Sequence, residues 1–100
     1  MDRINHVAIP VNDIAEAVKW YQDSFSCSVA YLDDTWALLD FENISLALVL
    51  PEQHAGHFAI ERKDAANFGT LTLHRDKTKS VYIEDPWSNN LEILQKNKNG

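Results

Sequence analysis

The sequence predicts an α+β fold: one domain of two βαβββ modules, the second with a shortened helix. Three observations predict it. The apolar pattern changes from a period of two over residues 4–11 to helical spacing over residues 13–25. Three short apolar segments follow, separated only by turn residues. After residue 56 the order strand, crossover, strand, strand, strand recurs, although little sequence identity does. Module one is expected over about residues 3–51 and module two over about 56–96.

In "INHVAIPV" (4–11), Val7, Ile9 and Val11 share one face, and Ile4, His6, Ala8 and Pro10 the other, which reads as a strand. Ile14, Ala17, Val18, Tyr21 and Phe25 then recur on one helical stripe, with Glu16, Lys19, Gln22 and Asp23 outside it. Asp13 stands three before Glu16, a capping-box arrangement that satisfies exposed amides at a helix start. "CSVAYL" (27–32) ends at Asp33-Asp34, "TWALLDF" (35–41) at Glu42-Asn43, and "ISLALVL" (44–50) at Pro51. Strands this close in sequence pair as an antiparallel meander. In the second half "HFAIER" (57–62) reads as a strand, and "KDAANFG" (63–69) has room for one helical turn. Three more strands are expected over 70–75, 79–84 and 90–95. No linker or low-complexity stretch divides the halves, and 100 residues suit one modest core.

A formal net charge of −6 argues against a nucleic-acid or anionic-membrane partner, both of which require a basic surface. No apolar run approaches the ~20 residues that span a bilayer. "MDRINHV" lacks the basic-then-apolar pattern of a signal peptide. A lone Cys27 excludes an internal disulfide and a cysteine-based zinc site, and reads as a small strand residue. A soluble cytoplasmic protein is the expectation.

Against this background "EDPWSNNLEIL" (84–94) stands out, because Glu92 lies between apolar residues of a strand. Burying a carboxylate there is costly unless it is paired or bound to a metal. Two histidines occupy matching places: His6 on the first strand of module one, His57 at the start of the first strand of module two. In each strand the larger apolar residues (Val7, Ile9, Val11; Phe58, Ile60; Leu91, Ile93) lie on one face, and the candidate lies opposite, near Ala8, Ala59 or Asn90. If the large faces pack against helices, all three candidates point into one concavity. Two imidazoles and a carboxylate form a ligand set used by iron, manganese and similar ions. The competing reading is a hydrogen-bonded histidine in each strand and a solvent-facing glutamate on an edge, and chain spacing does not separate the two.

"INHVAIPVNDIAEAVKWYQDSF" resembles the opening of the vicinal oxygen chelate superfamily, which includes glyoxalase I, bleomycin resistance proteins, fosfomycin-modifying enzymes and extradiol dioxygenases. The shared features are His6, Val11, Asp13 and Trp20-Tyr21. "HFAI" resembles the strand that opens the second module, and "SVYIEDPWSNNLEIL" the closing hairpin, so the likeness spans residues 4–95. It implies a cupped mixed sheet and a divalent ion (Fe, Mn, Ni, Co or Zn) on His6, His57 and Glu92. It also implies a homodimer, in which one site can draw ligands from two chains. The implied function is a metal-dependent lyase, isomerase, transferase or extradiol-type dioxygenase acting on a small molecule with vicinal oxygens. The alternative is a metal-free small-molecule binding protein of bleomycin-resistance type.

Three departures qualify the resemblance. Glyoxalase I supplies a fourth ligand from its fourth strand, where this chain has Ala47, so glyoxalase I activity is not expected. Ser26 stands where a glycine commonly follows the helix. Between His57 and Ser80 the second module is shorter than usual by about a dozen residues, judged against the length of a parallel crossover. His74 and Tyr82 lie where extradiol dioxygenases carry a His and a Tyr, which makes them candidate catalytic residues; the plainer readings are a surface histidine and a packed strand tyrosine. His54 is a candidate ligand contact or an exposed loop residue. Trp20 is expected to pack beside the helix. Trp36 and Trp87 offer aromatic surface for an apolar ligand or a dimer contact.

Overall fold

A computed structural model describes residues 1–74 and 77–96. Eight strands occur among them: β1 (Arg3–Pro10), β2 (Ser28–Leu32), β3 (Trp36–Asp40), β4 (Ser45–Val49), β5 (His57–Arg62), β6 (Thr72–Leu73), β7 (Lys79–Glu84) and β8 (Asn90–Gln95). One α-helix, α1 (Ile14–Ser24), lies between β1 and β2, and a 3₁₀ turn (Ala65–Phe68) between β5 and β6. The expected α+β class and order of elements are therefore observed. The strand expected over 70–75 is reduced to Thr72–Leu73, and its last position lies outside the described residues.

The chain forms two compact units, one of His6–Gly56 and one of Met1–Asn5 with the residues from His57 onward. In the first unit the strands run in the order β2-β3-β4-β1. β2, β3 and β4 form the antiparallel meander, and β4 pairs parallel with β1, Ala8 opposite Ala47. Asp13 caps α1, its Oδ1 accepting the Glu16 N–H at 2.9 Å. The helix ends without a left-handed residue. Phe25 is extended (φ −139°) and its N–H donates to the Tyr21 carbonyl at 2.8 Å, so Ser26 meets no demand for glycine.

Alternation along these strands gives the unit two distinct faces. Ile9, Val11, Leu46, Leu48, Ala37 and Leu39 pack with Ile14 and Val18 of α1. Val7, expected on that packed face, is exposed instead. On the other face Ala8, Ala47 and Val49 are buried with Trp36 and Leu38 against them. His6 has the parity of Ala8 and belongs to this face.

The second unit repeats the pattern in the order β6-β7-β8-β5. β5 and β8 are parallel, and β7 pairs antiparallel with both β8 and β6. The crossover is the shortened helix the sequence predicts, four residues of 3₁₀ turn. Asn67 N–H donates to the Asp64 carbonyl at 2.8 Å, and Gly69 leaves the turn at φ 154°. A Cβ at Gly69 would stand 2.9 Å from Val81 Cγ1, so glycine is required both for its φ and for this close approach. Arg62 pins the crossover, bonding Asp64 at 2.7 Å and lying 5.6 Å from the Phe68 ring centroid. The same guanidinium holds Asp2 at 2.7 Å, and Arg3 lies 3.1 Å from Glu61, which ties the first residues to β5.

Candidate metal centre

Register places the polar residues of the second unit together. Ala59 of β5 and Tyr82 of β7 both stand opposite Glu92 of β8. Because side chains alternate along a strand, His57, Ala59, Glu92, Ser80 and Tyr82 share one face. The hairpin between β7 and β8 is fixed by Asp85, whose Oδ1 accepts the N–H of Trp87 and of Asn89, both at 2.9 Å, while Oδ2 accepts from the Asn89 side chain at 2.9 Å. These bonds, the Asn89 side chain foremost, hold the Asp85 carboxyl below the usual carboxylate range. Ser88 takes the left-handed conformation that the turn needs (φ 67°).

Glu92 is 5% exposed, within a strand whose flanking residue Ile93 is also buried. Its two oxygens have different neighbours. Oε1 lies 3.3 Å from His57 Nε2, and Oε2 lies 3.5 Å from His74 Nε2. His74 Nε2 is also 2.6 Å from the hydroxyl of Ser80, itself fully buried. The Tyr82 ring stands edge-on to both imidazoles, its centroid 5.5 Å from that of His57 and 6.0 Å from that of His74. Tyr82 is 43% exposed, so its outer edge is open to solvent or ligand. Ala59 beside Glu92 is fully buried, and a larger side chain there would compete for the space the carboxylate uses.

The donor chemistry fits a divalent transition ion. Imidazole nitrogen and carboxylate oxygen are its ordinary ligands, each ~2.0–2.2 Å from the metal. Two such donors at about a right angle or slightly wider stand ~3.0–3.4 Å apart. The separation of His57 Nε2 from Glu92 Oε1 falls in that interval.

The second unit thus brings together His57, Glu92, His74 and Tyr82, all singled out in the sequence. His6 lies in the first unit, half-buried, opposite Ser45 in the β1–β4 pairing. Ala47 is buried two residues further along β4 and offers no donor atom. Ser80 was not a candidate from sequence; its position two before Tyr82 in "KSVYIE" was the available signal. His54 lies in an exposed turn, its N–H donating to the Leu50 carbonyl at 3.0 Å. Trp20 is exposed and edge-on to Tyr21 at 5.0 Å, and Trp87 projects from the Asp85 hairpin. Trp36 stacks on Tyr31 with centroids 4.5 Å apart. Cys27, expected as a strand residue, lies just before β2 and is half-buried against the helix-side core.

Several solved structures share the fold at low sequence identity. A glyoxalase/bleomycin resistance protein/dioxygenase superfamily member from Vibrio splendidus 12B01 matches with a TM-score of 0.73 and 14% identity, over 96% of this chain and 100% of that one. A hypothetical protein from Bacillus halodurans C-125 matches at 0.74 and 14%, over 97% and 96%. The NAD-dependent benzaldehyde dehydrogenase of Legionella pneumophila matches at 0.72 and 15%, over 90% and 96%. At such identities the likeness is one of fold alone. No curated protein matches the sequence. The family model for the Glyoxalase/Bleomycin resistance protein/Dioxygenase superfamily matches residues 3–93, nearly the whole chain, and the chain belongs to that superfamily.

Proposed function

We propose that His6, His57 and Glu92 hold one divalent metal ion, and that the protein is a metal-dependent enzyme acting on a small molecule with neighbouring oxygens. The observation that carries this reading is Glu92, buried in an apolar strand with its Oε1 at 3.3 Å from His57. A buried carboxylate costs several kcal/mol unless compensated, and an ion shared with His57 would compensate it. Membership of the superfamily supports the reading.

When bound, the ion would supply Lewis-acid stabilisation of an enolate or oxyanion, because three protein ligands leave positions open to substrate. The chain's own residues would do the rest. His57 presents Nε2 and Glu92 presents Oε1. Tyr82, edge-on to both imidazoles and partly exposed, is placed to contact a bound substrate with its ring or hydroxyl. Ala47 leaves β4 without the donor that glyoxalase I has there, which favours a three-ligand reaction class over that isomerisation.

Elemental analysis of protein purified from metal-supplemented medium tests the proposal, with about one ion per site expected and loss of it on Glu92→Ala or His57→Ala. Protein that takes up no Fe, Mn, Ni, Co or Zn, even after loading, refutes it.

A second reading is a metal-free binding protein. His57 and His74 face the two oxygens of Glu92, so imidazole N–H groups would offset part of the carboxylate's burial without an ion. On this reading His6→Ala and Glu92→Ala leave affinity for a small-molecule ligand unchanged, whereas on the first they abolish it.

A further inference from the structure

We infer that His74, anchored by Ser80, is a positioning residue that holds the second oxygen of Glu92, so that Glu92 serves an ion through Oε1 alone. The inference rests on the metal reading above but concerns a different set of atoms. A carboxylate can meet an ion with one oxygen or with both, and what its other oxygen touches decides between them. Here the division is already present. Oε1 faces His57 Nε2 at 3.3 Å, and Oε2 faces His74 Nε2 at 3.5 Å.

His74 is itself held. Its Nε2, the same atom that faces Glu92, lies 2.6 Å from Ser80 Oγ, so with the proton on Nε2 its single N–H is forked between that hydroxyl and Glu92 Oε2; Ser80 is fully buried in β7. The backbone fixes the same residue: His74 N–H donates to the Thr78 carbonyl at 2.8 Å, and the His74 carbonyl accepts from Lys77 N–H at 2.9 Å. The Tyr82 ring stands edge-on to His74, limiting rotation of the imidazole away from Glu92. An imidazole with Ser80 and Tyr82 against it, on a backbone fixed at both its N–H and its carbonyl, is suited to orienting the carboxylate beside it. Residues that orient metal ligands in this way typically alter ion affinity by about 10–100-fold when removed.

The role differs from the catalytic one suggested by sequence position. A catalytic His74 would act on substrate and leave ion binding alone. A positioning His74 acts on the ion site whether or not substrate is present.

The test uses the full chain without substrate, titrated with Co²⁺ and followed by its visible absorption, with thermal unfolding of each metal-free variant as a folding control. His74→Ala is expected to weaken Co²⁺ binding by about tenfold or more and to shift the absorption bands, as the coordination of Glu92 changes. Ser80→Ala, which removes only the anchoring hydroxyl, should move both readouts in the same direction by less. His74→Gln, which retains a donor, should recover part of the affinity. Wild-type affinity and spectrum in both His74→Ala and Ser80→Ala would overturn the inference and leave the metal reading standing. A wild-type chain that binds no Co²⁺, nor the other ions named above, overturns both.

Discussion

Replacing Glu92 by glutamine separates what this side chain does for the fold from what it does for an ion. The substitution keeps size and shape and removes the charge. Without metal, the carboxylate is 5% exposed and has given up most of its hydration, at a cost of several kcal/mol. The imidazoles at 3.3 and 3.5 Å offset part of that cost. Glutamine removes both the cost and the offset, so the metal-free variant should lie within about 1–2 kcal/mol of wild type. With an ion present the two proteins diverge. At a hundred times its dissociation constant, an ion stabilises the folded state by about 2.7 kcal/mol. For a chain of this length that raises Tm by roughly 10–20 °C, at ~4–8 °C per kcal/mol. A neutral amide is a poor ligand, so most of the rise should vanish in Glu92→Gln. The assay is thermal unfolding by circular dichroism, first in EDTA and then with excess Mn²⁺ or Co²⁺. An equal metal-induced rise in both proteins would refute Glu92 as a ligand. A loss above about 4 kcal/mol in EDTA would mean instead that Glu92 is held by its imidazole partners for structure.

Two further outcomes are expected. Asp33 accepts from the Tyr31 hydroxyl, from Thr35 N–H and Oγ1 at 2.8 Å each, and from Trp36 N–H at 3.0 Å; with the Tyr31 hydroxyl foremost, these bonds hold its carboxyl far below the usual range. A depressed carboxyl stabilises the folded state above its unfolded value of ~3.9, and that stability is lost as pH falls below it. Asp33→Ala should therefore cost about 1 kcal/mol at pH 7 in urea unfolding, after allowance for solvent screening, and progressively less below about pH 4; a deficit independent of pH would contradict this. The chain is also expected to be a homodimer, since strand edges and a small core favour pairing, and light scattering at micromolar concentration should give twice the chain mass. If a site draws its ligands from two chains, mixing His6→Ala with Glu92→Ala protein restores one intact site per heterodimer. Heterodimers that form but bind no metal would assign every ligand of a site to one chain.

The parts of the molecule legible in the sequence are those governed by local periodicity. The change from β1 to α1 follows from a shift in apolar spacing, and the Asp13 cap from one residue pair. The side-chain parity of His57 and Glu92 was readable for the same reason, because alternation assigns a face without knowledge of the partner strand. Contacts set by register between strands were not readable. His74 meets Glu92 because β6, β7 and β8 pair with particular offsets, Thr72 with Ser80 and Tyr82 with Glu92. Nothing local to His74 or Ser80 encodes that. Val7 also escaped, because alternation gives the face of a residue but not whether the helix reaches far enough to cover it.

The difference between the two crossovers has a consequence for how long the protein lasts. The first unit buries Ile14, Val18, Leu39 and Leu48 beside an 11-residue helix, whereas the second buries Ala59, Ala65, Val81 and Ile93 beside a four-residue turn. Apolar burial stabilises by about 25 cal/mol per Å², so the smaller side chains of the second unit hold it more weakly. Weakly held regions open locally before the whole chain unfolds, and a protease cleaves what opens. Both His57 and Glu92 belong to this lightly fastened half. On the proposed reading, an ion there does the work of the missing helix, and its departure weakens this half before the other. Metal supply would then govern turnover of the chain as well as its chemistry, starved molecules being degraded while charged ones persist.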